Sequence, residues 1–183
     1  SATRQVAFCS CVSAMSLRLL LVVLARWPAE SYTDRHARGA SGKLAVVTGC
    51  TSGIGFETMR VLAMRGAHVV GTSRSLDRAE AACLRVPGTT TPLRLELSDL
   101  DSVVECANAI RNINSALDIL VCNAGYLGGS GERQLINGVE KHFAINHLGH
   151  FVLVNRLAGR LYMAGQGRIV VVGHLQSHRV TAK

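Results

Sequence analysis

The chain has 183 residues, 48% of them apolar and 17% charged, with a formal net charge of +8; this excludes a disordered chain and suits one globular domain with an N-terminal appendage. The positive balance fits an anionic partner, whether nucleic acid, an anionic lipid surface or a phosphate-bearing small molecule. Nucleic acid ranks below a nucleotide cofactor, because no five-residue block of Lys and Arg occurs and only eight Phe, Tyr and Trp residues are present.

From Val6 to Ala25 the only charge is Arg18, and no acidic residue precedes Glu30. Three readings compete: a signal-anchor helix, a basic acid-poor targeting segment, or an apolar helix packed on the domain. The uninterrupted apolar core, Leu19 to Ala25, is short for a span, and Arg18 would have to snorkel. Membrane association is favoured, which would put an intracellular protein at the endoplasmic reticulum membrane, with the cytoplasm as the alternative. Trp27 to Gly42 mixes Pro, Gly, Ser and charges without a period and reads as a linker. The expected division is therefore 1–42 for segment and linker and 43–183 for the domain.

Leu44 to Thr48 is a continuous apolar run, as expected of a strand covered on both faces. Gly53 to Arg65 follows as a helix with apolar residues at Ile54, Val61, Leu62 and Met64, stopped by Gly66. His68 to Ser73 is a second strand and Leu76 to Leu84 a second helix, which completes a βαβ unit. Pro92 to Leu97 alternates apolar and polar and suits a sheet edge. Ser98 is the expected cap of a helix whose inward face is Leu100, Val103, Val104, Ala107 and Ile110. Asp118 to Asn123 reads as a fourth strand, Asn137 to Met163 as one long helix, and Arg168 to Val172 as a fifth strand. The alternation predicts an α/β, doubly wound parallel sheet of the Rossmann type.

Six cysteines are scattered without a Cys-x-x-Cys pair and read as free thiols in a reducing compartment. His142, His147 and His150 lie close together, but on a helix only the last two share a face. Hydrogen-bonded or solvated histidines outweigh a metal site, and no metal is expected.

The turn after the first strand, "TGCTSGIG", carries Gly49, Gly53 and Gly55. In a βαβ unit such a turn must bring backbone N–H groups close to a phosphate and pass directly into a helix. Glycines supply the turn, the close approach and the tight packing of helix on strand, and the helix N-terminus adds partial positive charge. A tight structural turn can need the same residues, but its place between a buried strand and an amphipathic helix favours phosphate binding.

The spacing Gly49-x-x-x-Gly53-x-Gly55 resembles that of the short-chain dehydrogenases/reductases. "TGCTSGIGFET" looks like that family's cofactor turn, "VCNAG" like its Asn-Ala-Gly segment, "NHLGHF" like the helix segment with its catalytic Asn, and "GRIVVV" like the strand that follows. The wording is closest to the retinol-dehydrogenase-like branch, which takes in the WW-domain-containing oxidoreductase, although Trp27 is the only tryptophan and no WW domain is present. The resemblance implies hydride transfer between a nicotinamide and an alcohol or carbonyl. It places Gly49, Thr51, Ser52, Gly53, Ile54 and Gly55 at the cofactor, with Asn123, Ala124 and Gly125 in support and Glu96 and Leu97 beside the adenine. It makes Asn146 the catalytic Asn that holds a proton-relay water; a structural amide bonding the backbone is the alternative role. Asn146 shares a stripe with Val139, Phe143, His150 and Leu153 and is expected on a largely inward face.

Ser73 stands where the family would place an acidic residue against the adenosine ribose, and Arg74 follows it. Arg74 can fork onto a 2′-phosphate, so NADP is favoured over NAD. The family's Tyr-x-x-x-Lys is missing: none of Tyr32, Tyr126 and Tyr162 has a Lys four residues on. Gly173 and His174 occupy the position of the family's Ser, and Ser177 is four or five residues late. Five of the usual seven strands are found. The expectation is an N-terminal portion of a dehydrogenase, or else a non-catalytic NADP(H)-binding relative.

Overall fold

A computed structural model describes residues 39–113, 116–128 and 134–173. Residues 6–25 and Ser177 lie outside them. Among the described residues seven strands and five α-helices follow in chain order: β1 (Leu44–Thr48), α1 (Gly53–Met64), β2 (His68–Ser73), α2 (Leu76–Leu84), β3 (Thr90–Arg94), α3 (Leu100–Asn112), β4 (Ile119–Cys122), β5 (Leu135–Ile136), β6 (Val139–Glu140), α4 (Lys141–Phe143), α5 (Gly149–Met163) and β7 (Arg168–Val171). A π-helical turn, Ala144–Leu148, joins α4 to α5.

Five strands form one sheet in the order β3-β2-β1-β4-β7. Every pairing in it is parallel, for example Val46 with Val70 and Leu120. The sheet is the expected doubly wound one. All five residues of β1 are buried, and they alternate between two cores. Leu44 and Val46 join Val103, Ile110, Leu153 and Leu157 on the face of α3 and α5. Ala45 and Val47 join Met59, Ala63 and Ala82 on the face of α1 and α2. A continuous apolar run is what a strand with two covered faces requires.

Several expected boundaries shift. β3 spans Thr90–Arg94 rather than 92–97; it is an edge strand as expected, and Leu95 and Leu97 enter the core from the segment after it. Asp99, not Ser98, caps α3, its carboxylate accepting from the Asp101 N–H at 3.0 Å, while Ser98 donates to Glu96 Oε1. The buried line of α3 is Ser102, Val103, Cys106, Ala107 and Ile110, with Leu100 exposed. On α1 the buried line is Gly55, Met59 and Ala63, whereas Ile54 and Met64 are exposed. The four-residue spacing puts these three on one face, where Met59 fills the core and Gly55 and Ala63 allow close approach to it on either side, while Ile54 and Met64 lie off that face.

The largest correction concerns residues 137–163. They are not one helix: β5 and β6 form an antiparallel hairpin about Asn137 and Gly138, with Asn137 at φ 49°, as Asn-Gly hairpin turns require. The π-turn then breaks the 3.6-residue period. Phe143 and Asn146 face solvent, while His150, Leu153, Leu157 and Leu161 are buried, so the expected inward stripe through Val139, Phe143 and Asn146 does not form.

Candidate cofactor site

The order of the sheet reverses between β1 and β4, and the crevice beyond their C-terminal ends is where doubly wound folds bind ligands. The turn after β1 and the segment after β4 meet there. Gly49 has φ 70°, and a Cβ on it would lie 2.9 Å from the Ala124 Cα. The N–H groups of Gly49 and Cys50 donate to the Thr72 carbonyl, both at 3.0 Å, which ties the turn to β2. A Cβ on Gly55 would overlap the Gly49 carbonyl oxygen and the Asn123 amide. Gly53, at φ 56°, has open space where its Cβ would be.

These three positions separate the demands on the turn. Gly49 and Gly55 make it compact against β4. Gly53 leaves the mouth of α1 clear. Ser52 occupies the N-cap with extended backbone, its side chain makes no capping bond, and the first turn carries no acidic residue. The opening N–H groups of α1 lack intrahelical acceptors and face no competing carboxylate, a combination suited to an anion. The residues present fit a pyrophosphate.

Asn123 braces the turn from below. Its Nδ2 donates to the carbonyls of Thr48 and Gly49 at 2.9 and 3.2 Å. Thr48 Oγ1 accepts from the N–H groups of Asn123 and Ala124, both at 2.9 Å, and lies 3.0 Å from His150 Nε2. Gly125 comes next to Asn146, whose Oδ1 would be 3.7 Å from a Cβ there. The Asn146 side chain makes two bonds to the backbone of Tyr126: Oδ1 accepts from its N–H at 2.6 Å and Nδ2 donates to its carbonyl at 3.0 Å. Lys141 Nζ lies 4.3 Å from the centre of the Tyr126 ring and so meets its face.

A second part of the site lies beyond β2. Thr51, Ser73, Arg74, Ser75, Arg78 and Glu96 line an open recess of about 280 Å³. Three of the expected cofactor residues, Thr51, Arg74 and Glu96, thus converge. Leu97 does not line it, being buried in the core, where its backbone packs on Gly149. Glu96 Oε1 accepts from both the N–H and the hydroxyl of Ser98, at 3.1 and 2.7 Å. Among the described residues neither Arg74 nor Arg78 forms an ion pair.

Sequence reasoning missed Arg78 and Thr48. Arg78 stands four residues after Arg74, in the first turn of α2, a second guanidinium so near the end of β2 that it could have been flagged. Thr48 could have been found as a hydroxyl closing a wholly apolar strand. Cys50, Cys83, Cys106 and Cys122 are free and buried; burial pushes the thiols of Cys50, Cys106 and Cys122 up to about 12, so they are poor nucleophiles.

The short chain dehydrogenase family profile matches residues 43–182. A WW domain-containing oxidoreductase from Gallus gallus is 40% identical over 151 residues, covering 80% of this chain and 36% of the relative. Retinol dehydrogenase 12 from Bos taurus is 36% identical over 142 residues, covering 75% of this chain and 45% of the relative. The chain therefore spans less than half the length of these relatives. The crystal structure of a metagenomic short-chain oxidoreductase in complex with NADP superposes with a TM-score of 0.68 at 28% identity, covering 78% of this chain and 67% of that one. The glycine turn, the Asn-brace beneath it and the match across the described domain have one conclusion: the chain belongs to the short-chain dehydrogenase family.

Proposed function

We propose that this chain carries the NADP-binding part of an oxidoreductase that moves a hydride between a nicotinamide and an alcohol or carbonyl, the substrate being lipophilic, such as a retinoid or steroid. The cofactor choice rests on the recess beyond β2. Two guanidiniums without ion-pair partners line it, and its one carboxylate, Glu96, is engaged with Ser98. A positive recess with forked donors suits a 2′-phosphate, which an acid at the end of β2 would repel. The N–H groups opening α1 would hold the pyrophosphate and Arg74 and Arg78 the 2′-phosphate. When bound, NADP(H) supplies or accepts the hydride.

Arg74→Ala should weaken NADPH binding roughly tenfold, the worth of one charge-assisted contact, and leave NADH binding nearly unchanged. Fluorescence titration of both nucleotides checks this; equal losses would remove the phosphate-fork argument.

Asn146 pins the loop after β4 through Tyr126, and its amide keeps one N–H and one lone pair with which it would hold a relay water. The proton-transferring Tyr and Lys would come from sequence following this chain in a longer protein. A second reading, a relative that binds NADP(H) without turnover, is favoured by Gly173 and His174 standing where the family places its Ser. Sequencing the transcript past the Lys183 codon separates the two: Tyr-x-x-x-Lys about a dozen residues beyond β7 supports the enzyme, a verified stop supports the binder. Among the described residues no helix is long and apolar enough to cross a membrane. The proposed membrane association, at the endoplasmic reticulum, therefore rests on the apolar run 6–25 alone.

A further inference from the structure

We propose that His150 is a positioning residue that, as the neutral Nδ1–H tautomer, links the backbone carbonyl of Asn146 to the strand end beneath the cofactor turn. The inference rests on the reading that this turn holds NADP(H). His150 sits on α5 and is 7% exposed; with Thr48, Thr72 and Ser102 it makes up the buried polar residues among those described. Its Nδ1 lies 3.3 Å from the Asn146 carbonyl oxygen. A carbonyl can only accept, so Nδ1 carries the hydrogen. In a neutral ring Nε2 is then an acceptor, and Thr48 Oγ1, 3.0 Å away, must donate to it.

Thr48 closes the account. Its oxygen already receives two N–H groups, from Asn123 and Ala124, so both lone pairs are engaged and its single hydrogen remains to be given. The alternative acceptor, the Val121 carbonyl, is farther at 3.4 Å. Choosing it would leave the buried Nε2 lone pair without a donor, the costlier arrangement. An imidazolium would instead aim an N–H at an oxygen with no free lone pair. Burial also pulls the His150 pKa below the ordinary imidazole value, against a smaller opposing pull from the Asn146 carbonyl, in keeping with a neutral ring.

The result is one hydrogen-bonded chain from the π-turn to the cofactor turn: Asn146 carbonyl, His150, Thr48, then the N–H groups of Asn123 and Ala124. Ala124 is the residue against which Gly49 packs. The Asn146 amide bonds Tyr126, and among the described residues the side chain that meets the Asn146 carbonyl is His150. A displacement of the ring would be felt at both ends. His150 touches neither substrate nor cofactor in this account and acts through Thr48 and Asn146.

Two measurements on the full 183-residue chain test it. With histidine labelled in nitrogen-15, the unprotonated nitrogen of His150 should correlate with both carbon-bound ring protons, the mark of a bare Nε2. An Nε2–H tautomer or an imidazolium at neutral pH would overturn the proposal. Next, NADPH affinity and melting temperature are compared for His150→Phe, which removes both bonds, and His150→Gln, whose carbonyl falls where Nε2 sits and can still accept from Thr48. We expect His150→Phe to weaken NADPH binding roughly tenfold and His150→Gln to recover most of it at a similar melting temperature. Wild-type affinity in both variants, whatever their stability, would reduce His150 to core packing and overturn the positioning role. Should His150→Phe fail to fold, His150→Gln against wild type decides: a loss near tenfold despite the retained acceptor overturns it. A wild-type chain that binds neither NADPH nor NADH would sink the functional reading instead, and the tautomer still decides the hydrogen-bonded chain by itself.

Discussion

Gly53 and Gly55 sit two positions apart in the same turn, yet the surroundings assign them different work. A methyl group on Gly55 has nowhere to go, since it meets a backbone carbonyl and the Asn123 amide, and neither is the free end of a flexible side chain. Overpacking of that kind costs about 3 kcal/mol, or roughly 10 °C in melting temperature for a domain of this size. A methyl group on Gly53 meets open space, and its burden is the positive φ, about 1 kcal/mol. Its effect should fall on the phosphate that would approach there. Gly55→Ala is therefore expected to lower the melting temperature far more than Gly53→Ala, and Gly53→Ala to lower NADPH affinity by about an order of magnitude while remaining folded. Calorimetry and nucleotide titration on the two variants check the split; matched losses of stability would show that Gly53 is merely a turn residue.

At the level of elements, the start of α4 is held by a side-chain cap. Glu140 ends the hairpin and starts α4: its Oε1 accepts from the His142 N–H at 2.9 Å and its Oε2 from the Phe143 N–H at 2.8 Å. These two backbone bonds, with a smaller contribution from the His142 ring, lower its pKa from 4.5 to about 2. A carboxylate whose folded pKa is depressed contributes stability that is present above its unfolded value and lost as pH falls through the folded one. The hydrogen-exchange protection of the His142 and Phe143 amides should hold above pH 4.5 and decline toward pH 2. Glu140→Gln should weaken that protection at neutral pH and flatten its dependence over the same window. An unchanged profile in the variant would show that another group governs the start of this helix. The π-turn that follows sets the side chain of Asn146 toward Tyr126 and that of His150 toward Thr48, two partners on opposite sides of one short segment.

For the molecule as a whole, what was legible in the sequence is what local chemistry dictates. Buried parallel strands are near-continuous apolar runs, and the stretches beginning at Leu44, His68, Asp118 and Arg168 became β1, β2, β4 and, at the less covered sheet edge, β7, to within a residue or so. The glycine turn was equally legible from its spacing, although the close approaches that require Gly49 and Gly55 are made partly with Ala124 and Asn123, far along the chain. The Asn137–Gly138 hairpin carried a readable turn signal but was absorbed into a helical period that the π-turn interrupts. The bond between Thr48 and His150 spans 102 positions and was not readable at all, because only the closing of the sheet brings them together. Closure also creates a liability. Among the described residues β7 pairs only with β4, and no described strand takes up the N–H and C=O groups on its other side, beside exposed Val171 and Val172. Such an edge templates pairing with another chain, and lysine is an effective means of blunting it. The 183-residue chain is accordingly expected to self-associate with rising concentration, and Val171→Lys to shift sedimentation toward monomer without reducing NADPH affinity. If the variant and the parent sediment alike, the contact lies elsewhere, and the β7 edge is covered in solution.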